Sequence, residues 1–363
     1  MLAANLYPII YFSVVTILTL YCFQVYSGFS ETRIKYCNTY NHSHASIILI
    51  SIITIFIGLR PDSIVFVDMI SYTHRYEALN VELSNFEFND QAQNLIFDNI
   101  FFFCGLNNVN ITYFYLFISI IYFSGIFWIV YKCFPNDNFY ALVVYLGALS
   151  TFSYGTNGIK AGAAASLFLM CFVFYRKPLL ITLFALLSLG FHHSMTLTIY
   201  SFVFAYFIKN EKYFFIFWVT CLFLSTLHLS FFTEFFAELT DEKGQSYLLA
   251  DEESFEGKTG FRWDFILYSL PPVAIGYWAI YKKHVKDRMY HLLLCTYLVA
   301  NGIWLLCLYV PFNNRIAYLS WFLLPVLIIY PFLKFRLRTK QYIQVNYIAG
   351  MYFILTIFSL IFM

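Results

Sequence analysis

Residues 111–131 read ITYFYLFISIIYFSGIFWIVY, an apolar run without a charged side chain that is followed directly by Lys132. A helix needs roughly 17 or more such residues to cross the hydrocarbon core of a bilayer, so this run predicts a transmembrane helix. The whole chain has the same character, because 61% of its 363 residues are hydrophobic and only 12% are charged. A soluble chain of this length could not bury so much apolar surface, and the composition therefore indicates an integral membrane protein.

Similar apolar runs recur along the chain and predict about 12 membrane crossings. They lie near residues 6–27, 45–59, 111–131, 139–154, 161–175, 178–191, 195–208, 213–232, 265–281, 289–310, 316–333 and 344–362. Two of them, 178–191 and 195–208, are short and meet at His192-His193-Ser194. They are either two thin or tilted helices or a pair of re-entrant half-helices. We expect an all-α polytopic protein with a single integral domain, residues 1–363.

The charges separate by sign between alternate gaps of this pattern. One set of gaps holds 15 of the 22 Lys and Arg residues and four of the 20 acidic residues. The other set holds seven Lys and Arg residues and 16 acidic residues. Because cytoplasmic loops are enriched in Lys and Arg, the first set is predicted to be cytoplasmic. Both termini are then predicted to lie outside the cytoplasm.

Two predicted outer loops are long. Residues 60–110 contain apolar residues at helical spacing, which predicts a helix lying in the membrane interface. These residues are Phe88, Ala92, Leu95, Ile96 and Phe102. The second loop, residues 233–264, is acidic. The eight Cys show no spacing typical of a metal site, and we expect no metal, no cofactor and no nucleic-acid partner.

The first candidate group stands at the predicted outer end of the second run. Arg60 follows Gly58-Leu59, and Asp68, Tyr72 and Tyr76 are four residues apart, so a helix would place these three on one face. Arg60 could bind phosphate beside an acid and two aromatic rings suited to a sugar. The alternative is a surface helix with an ion pair.

The second candidate group is Asn157-Gly158-Ile159-Lys160, followed by small residues up to Ala165. A Lys at the positive end of a helix is unfavourable by itself, but becomes favourable if an anion binds there. The alternative is a helix-packing surface of small residues with Lys160 extending to the interface.

The third candidate group is Phe191-His192-His193-Ser194, at the break between the two short runs. One imidazole could accept a proton or donate a hydrogen bond to a phosphate. Irregular backbone at membrane depth usually lines a cavity, which favours a functional site, but a structural histidine is the alternative. His228 lies within the run 213–232, and we expect it in the core.

The fourth candidate group pairs Arg262-Trp263-Asp264 with Asn314-Arg315, each at the predicted start of a run. Interface anchoring explains both, and Trp263 fits it well. However, Arg60, Lys160, Arg262 and Arg315 are four of the seven outer cations and all lie at the ends of runs. Recognition of a lipid-linked diphosphate would require such an arrangement.

In this order, the four groups resemble the EpsG/Wzy-like family of bacterial polysaccharide polymerases. The resemblance extends from Gly58-Leu59-Arg60 to Pro325 and includes Phe261-Arg262-Trp263-Asp264-Phe265 and Asn314-Arg315 with Tyr318. One departure is that the family commonly has Arg-Gln where this chain has Lys160-Ala161. Lys keeps the charge but loses the bidentate geometry of Arg.

The resemblance implies a GT-C-like membrane glycosyltransferase that acts on the periplasmic side of the bacterial inner membrane. It would transfer a glycan from undecaprenyl diphosphate to the non-reducing end of another lipid-linked repeat unit, as an O-antigen polymerase does. Implied partners are membrane lipid, a flippase and a chain-length regulator. An O-antigen ligase and a flippase or transporter of lipid-linked oligosaccharide are the alternatives.

The resemblance also suggests a role for each candidate residue. Arg60, Lys160, Arg262 and Arg315 would bind the diphosphate. His192 or His193 would be the base or a phosphate donor, with Asp68 as the competing base. The sugar-binding candidates are Tyr72, Asn157 and Asp264.

Overall fold

The structure is a computed structural model that describes residues 2–27, 41–81, 85–228, 231, 260–310, 313–337 and 341–362. Within these residues the regular structure is helical, without a β-strand. The α-helices are α1 Leu6–Ser27, α2 Asn41–Gly58, α3 Val67–Val81, α4 Leu95–Leu106, α5 Ile111–Cys133, α6 Asn138–Leu146, α7 Leu149–Thr156, α8 Ile159–Val173, α9 Pro178–Phe191, α10 Thr196–Phe207, α11 Glu211–Ser225, α12 Trp263–Tyr277, α13 Arg288–Leu306, α14 Asn313–Trp321, α15 Leu324–Lys334 and α16 Gln341–Phe362. The all-α prediction is confirmed for this part of the chain. Most of the acidic loop 233–264 lies outside the described residues.

Among the residues that the structure describes, five helical segments are long and apolar enough to cross a membrane. They are Leu6–Ser27, Ile111–Cys133, Arg288–Leu306, Asn313–Lys334 and Gln341–Leu360, and four shorter apolar helices accompany them. Large apolar side chains on α1 lie on the protein surface, with Ile17 65% exposed and Leu20 62% exposed, as expected for contact with lipid. The protein is membrane-embedded. The crossing number of about 12, the GT-C-like architecture and the outward termini stay predictions.

Helix boundaries follow local sequence signals. Helix α5 begins after Asn110, whose side chain accepts a hydrogen bond from the backbone N–H of Thr112 at 2.9 Å. Helix α9 begins with Pro178, which suits a first helical position because its missing N–H would have no partner there. The predicted run 139–154 is not one helix, since α6 ends at Leu146 and α7 begins at Leu149.

The chain divides into two compact units, which are described separately. Unit 1 comprises Met1–Met195 and Phe332–Gly350, and unit 2 comprises Thr196–Pro331 and Met351–Met363. The break predicted between the two short runs is confirmed. Helix α9 ends at Phe191, His192 is extended with φ −155° and ψ 113°, and a 3-10 turn spans His193–Met195.

In unit 1, small residues allow α8 to pack closely against α5 and α9. A Cβ atom added to Gly125 of α5 would collide with Ser166 of α8. The Ser166 hydroxyl donates to the carbonyl of Tyr122 at 2.5 Å, and the Ser188 hydroxyl of α9 donates to the carbonyl of Ala164 at 2.8 Å. The small residues Gly162–Ala165 after Lys160 are buried, as the prediction of a packing surface requires.

Residues 60–110, also in unit 1, contain two helices. The helix that includes Asp68, Tyr72 and Tyr76 is confirmed as α3. The predicted interfacial helix is shorter than its apolar spacing indicated, because α4 begins at Leu95 and leaves Phe88 and Ala92 outside it. Helix α9 approaches α4 closely, since a Cβ atom added to Gly190 would lie 2.6 Å from Ile96.

Unit 2 is built around α13, most of whose residues are buried. Asn301 on this helix is fully buried and bonds the Trp218 indole of α11 at 2.8 Å. The prediction that His228 lies in the core is wrong. Helix α11 ends at Ser225, and His228 is exposed, adopts φ 49° and stacks on Tyr309 with ring centroids 3.7 Å apart.

Candidate functional site

The candidate site lies in unit 1 and is centred on Asn94, which is 1% exposed and immediately precedes α4. Its backbone N–H donates to Oδ2 of Asp98 at 3.1 Å, and its side-chain Nδ2 donates to the same oxygen at 3.3 Å. Asp98 is the acidic residue of the first turn of α4, where a carboxylate is favoured by the unpaired N–H groups of the helix. The two residues therefore form a compact polar unit at the start of an apolar helix.

Both predicted histidines contact this unit. The Nδ1 atoms of His192 and His193 each lie 3.3 Å from Oδ1 of Asn94. The backbone N–H of His193 donates to the same oxygen at 3.2 Å. The rings are perpendicular, at an interplanar angle of 89° with centroids 5.3 Å apart. Because the helix breaks here, two half-buried imidazoles contact the side-chain amide of Asn94.

Lys160 contacts the other side of Asp98. Its Nζ lies 3.9 Å from Oδ1 of Asp98, and the two side chains are 17% and 15% exposed. The ammonium also lies 5.9 Å from the ring centroid of Tyr72 and 5.5 Å from that of Phe97, within the range of a cation–π interaction. Lys160 is the second residue of α8, and the anion expected beside it is, in this structure, a carboxylate of the protein.

Asn94, Asp98, Lys160, His192 and His193 are called the Asn94 cluster below. It contains a cation, a carboxylate and two imidazoles connected through one buried amide. Charged groups that are partly buried and mutually bonded are typical of binding and catalytic sites. Such an arrangement can hold an anion and move a proton.

The three candidate residues of α3 differ in their surroundings, and Tyr72 lies beside Lys160 of the cluster. Burial raises the pKa of Tyr72, and the charges of Asp68 and Asp98 raise it further, so its phenol stays protonated at neutral pH. Asp68 is half-buried in the first turn of the helix. Tyr76 is 1% exposed and donates its hydroxyl hydrogen to the carbonyl of Val109 at 2.8 Å, so it packs in the core and offers no open ring surface to a sugar.

Arg60 is buried instead of standing at an open surface. It is 1% exposed, and its Nη1 and Nη2 atoms donate to the carbonyls of Ile57 at 2.8 Å and Thr156 at 3.0 Å. Its guanidinium carbon lies 5.1 Å from the ring centroid of Tyr115. Burial lowers the pKa of Arg60 to about 10, so the side chain keeps its charge at neutral pH. Arg60 connects the end of α2 to the end of α7.

Asn157 caps the end of α7, three residues before Lys160. Its backbone N–H donates to the carbonyl of Ser153 at 2.8 Å. Its side-chain Oδ1 is buried and accepts no hydrogen bond from any residue that the structure describes. Asn157 is therefore part of the turn that leads into α8, and the Arg60 guanidinium bonds this turn through the carbonyl of Thr156.

The remaining candidates belong to unit 2. Arg262 forms a bidentate ion pair with Asp264, with 2.9 Å between Nε and Oδ1 and 2.6 Å between Nη2 and Oδ2. The Arg262 guanidinium carbon lies 3.7 Å from the ring centroid of Phe265. Trp263 is 66% exposed, as interface anchoring predicts. Arg315 is exposed in the first turn of α14.

Neither Asn94 nor Asp98 was among the residues predicted from the sequence. One signal could have found them: Asp98 is the one charged residue in the α4 sequence LIFDNIFFFCGL, and Asn94 precedes it by one helical turn. A lone carboxylate in an apolar segment of a membrane protein usually has a specific partner.

The helices and the Asn94 cluster define a membrane-embedded protein with a charged, partly buried site among its helices. A model of the EpsG family matches residues 44–363, a range that contains every candidate residue. The chain therefore belongs to the EpsG family, the family of Wzy-like polysaccharide polymerases, and the resemblance seen in the sequence is confirmed. No curated protein and no solved structure matches it.

Proposed function

We propose that this protein is an O-antigen polymerase, or a polymerase of a related surface polysaccharide. It transfers a growing glycan from undecaprenyl diphosphate to the non-reducing end of another lipid-linked repeat unit. Membership of the EpsG family supports the reaction class. The observation that carries the proposal is the Asn94 cluster, in which Lys160 and the two histidines meet through Asp98 and Asn94.

The proposed reaction needs two kinds of group. A hydroxyl of the acceptor sugar attacks the anomeric carbon of the donor, the bond between that carbon and the diphosphate oxygen breaks, and the hydroxyl proton passes to a base. A cation must stabilise the charge that develops on the leaving diphosphate. Lys160 is the proposed cation, and His192 or His193 is the proposed base, with Asp68 as the alternative.

The other cations have different proposed roles. Arg60 directs its Nη donors to backbone carbonyls, so we assign it to positioning the turn before Lys160. Direct contact with diphosphate would require those donors to leave Ile57 and Thr156. Arg315 is exposed and stays a proposed diphosphate ligand. Arg262 could bind diphosphate only in competition with its own partner Asp264.

The sugar-binding residues are proposed on chemistry and position. Tyr72 supplies a protonated phenol beside Lys160 and Asp98. Asn157 has a buried amide oxygen that could accept from a sugar hydroxyl. Asp264 is an acceptor already ordered by Arg262.

The cellular setting is also part of the proposal. The protein would lie in the bacterial inner membrane with its active site facing the periplasm, as the distribution of Lys and Arg predicts. A flippase and a chain-length regulator would be partners of the protein. We propose that the transfer needs neither a metal nor a cofactor.

Three experiments test this function. The lipopolysaccharide of a deletion strain should carry single repeat units on its core, whereas absence of any attached glycan would indicate a ligase. Purified protein should join lipid-linked repeat units in the presence of EDTA, and loss of joining that added Mg²⁺ restores would contradict the metal-free proposal. Normal long chains from Arg60→Ala, Lys160→Ala and Arg315→Ala variants, each expressed at the normal level, would refute the assignment of these cations.

A further inference from the structure

We infer that Asn94 is a positioning residue that holds the imidazoles of His192 and His193 in the form protonated on Nδ1. Nε2 is then the nitrogen with the lone pair that can accept a proton. The structural part of this inference stands on hydrogen-bond chemistry, and its catalytic meaning rests on the proposed polymerase function.

The first step is the orientation of the Asn94 amide. Oδ2 of the Asp98 carboxylate accepts from both the backbone N–H and the side-chain Nδ2 of Asn94, at 3.1 and 3.3 Å. A carboxylate oxygen has no hydrogen to donate, so only the NH₂ end of the amide can face it favourably. Lys160, 3.9 Å from Oδ1, adds positive charge beside the carboxylate. The amide oxygen of Asn94 is therefore directed away from Asp98.

The second step concerns the histidines. That amide oxygen accepts from the backbone N–H of His193 at 3.2 Å and lies 3.3 Å from Nδ1 of each imidazole. An amide oxygen only accepts, so a ring nitrogen bonded to it must carry the hydrogen. Both ring distances lie slightly beyond the usual N–H···O range, so these are weak hydrogen bonds, as expected when three donors surround an oxygen with two lone pairs.

The consequence is a defined tautomer. A neutral imidazole has one hydrogen, and placing it on Nδ1 leaves the lone pair on Nε2. A histidine side chain in water favours the opposite form, with the hydrogen on Nε2, which could not accept a proton at that atom. Asn94 is thus required to make Nε2 basic, and Asp98 is required to orient Asn94.

The same carboxylate serves two functions in this arrangement. Through Oδ1 it places Lys160, and through Oδ2 and Asn94 it orients the histidine pair. The cation proposed for the leaving group and the base proposed for the attacking group are thereby connected through one residue. Orientation of a catalytic imidazole by a neighbouring acceptor is a general requirement of such sites.

The test is ¹⁵N NMR of the full-length protein, labelled at histidine and reconstituted in phospholipid nanodiscs. Spectra are recorded near pH 9, where imidazoles are neutral. Comparison with His192→Gln and His193→Gln variants assigns the two residues. The expected result is a protonated Nδ1 and an unprotonated Nε2 for both, and an Nε2–H pattern at both would overturn the inference.

Three variants separate hydrogen bonding from packing. Asn94→Leu has a similar shape but cannot accept, so both histidines should move toward the Nε2–H form. Asn94→Gln keeps an amide with an NH₂ end for Asp98 and an acceptor oxygen for the histidines, and should restore part of the Nδ1–H form. Asn99→Leu is the matched control, because Asn99 is buried on the same helix but its Nδ2 bonds the carbonyls of Asn89 and Leu95. Unchanged tautomers in Asn94→Leu, or an equal change in Asn99→Leu, would refute the role of Asn94.

Activity provides a second and separate readout. Joining of lipid-linked units should fall about 10²-fold in Asn94→Leu, the lower range for loss of a general base, and should partly recover in Asn94→Gln. If the tautomers change as expected while joining is unaffected, the positioning by Asn94 is correct and the base role of the histidines in the proposed function is wrong. If neither changes, the inference about Asn94 itself fails.

Discussion

The two units each contain a buried asparagine at the centre of a polar cluster, and the two clusters differ in charge. Asn301 in unit 2 accepts from Trp218 Nε1 at 2.8 Å and donates to the hydroxyls of Ser320 at 3.1 Å and Ser269 at 3.3 Å. Trp321 donates to the same Ser269 hydroxyl at 2.7 Å. These five residues, here called the Asn301 cluster, are all neutral and at most 3% exposed.

The Asn94 cluster of unit 1 uses the same amide for a different purpose. Its partners are a carboxylate and two imidazoles, and Lys160 and Asp98 keep 17% and 15% of their side-chain surface exposed. Neutral hydrogen bonds closed to solvent stabilise packing between apolar helices. Charged groups that stay partly accessible cost stability and are typical of sites that bind or react. The comparison teaches that the partners of a buried amide, and not the amide, indicate its role.

Replacement of both His192 and His193 should have the largest effect on the rate of joining. His192→Gln/His193→Gln should lower the joining rate by about 10²–10⁴-fold, the usual contribution of a general base. Thermal stability should change little, because Gln can still donate to Asn94. The assay is joining of lipid-linked units by purified protein. The single variants identify the base as the histidine whose loss costs more, and a normal rate in the double variant would exclude both.

Removal of the Lys160 charge should have the next largest effect. Lys160→Met should lower the rate by about 10²–10³-fold, as expected for losing one group that stabilises a developing anion. Lys160→Arg should recover much of it. Lys212→Met is the matched control, because Lys212 is also the second residue of its helix, α11, and is exposed. Equal losses in both Met variants would show a general effect of lysine replacement.

A substitution in the Asn301 cluster should lower the free energy of unfolding and leave the transfer reaction unchanged. Asn301→Leu removes the acceptor of the Trp218 indole N–H and one hydrogen bond each to Ser269 and Ser320. The loss should cost about 2 kcal/mol, measured by thermal unfolding in detergent. Activity per folded molecule should stay unchanged. Thr296→Val is the control on the same helix, because the Thr296 hydroxyl is buried without a hydrogen-bond partner among the described residues. It should be neutral or slightly stabilising, and a rate defect in folded Asn301→Leu would contradict the comparison.

The smallest expected effect is on stability and comes from Asp137, a buried carboxylate. The Asn301 cluster is neutral and has no such cost of burying charge. Burial raises the pKa of Asp137 from 3.8 to about 6, although the hydrogen bond from Tyr26 lowers it. Because the folded state binds the proton more tightly than the unfolded state, stability should increase as the pH falls from 7 to 5, by about 1 kcal/mol. This gain should disappear in Asp137→Asn, and an equal gain in that variant would assign it to other groups.

Local features of the fold could be predicted because they depend on neighbouring residues. Periodicity placed Asp68 and Tyr72 on one helix, and the polar junction at His192 ended α9 where it was expected. The run 139–154 was predicted as one helix, but hydropathy alone does not report the interruption at Gly147 and Ala148. His228 was placed in the core because the run around it extends beyond the end of α11 at Ser225.

The candidate site was predicted only in part. Lys160, His192 and His193 could be found because a charged or polar residue in an apolar run is conspicuous. Asn94 could not, because its importance comes from partners far away in sequence: the bond to His192 spans 98 residues. Similarly, the burial of Arg60 depends on Thr156, 96 residues later.

The sequence by itself determined that this is a membrane protein, which segments are apolar and that the backbone breaks at His192. Composition and the spacing of polar residues carry that information, because the bilayer excludes unpaired polar groups wherever they occur in the chain. Only the tertiary structure decided which polar groups meet. Packing of α4, α8 and α9 joins Lys160, Asp98, Asn94 and the histidines, and it buries Arg60 against carbonyls. Hydrogen bonds are directional and short, so partners distant in sequence are defined by the packed helices and not by any local pattern.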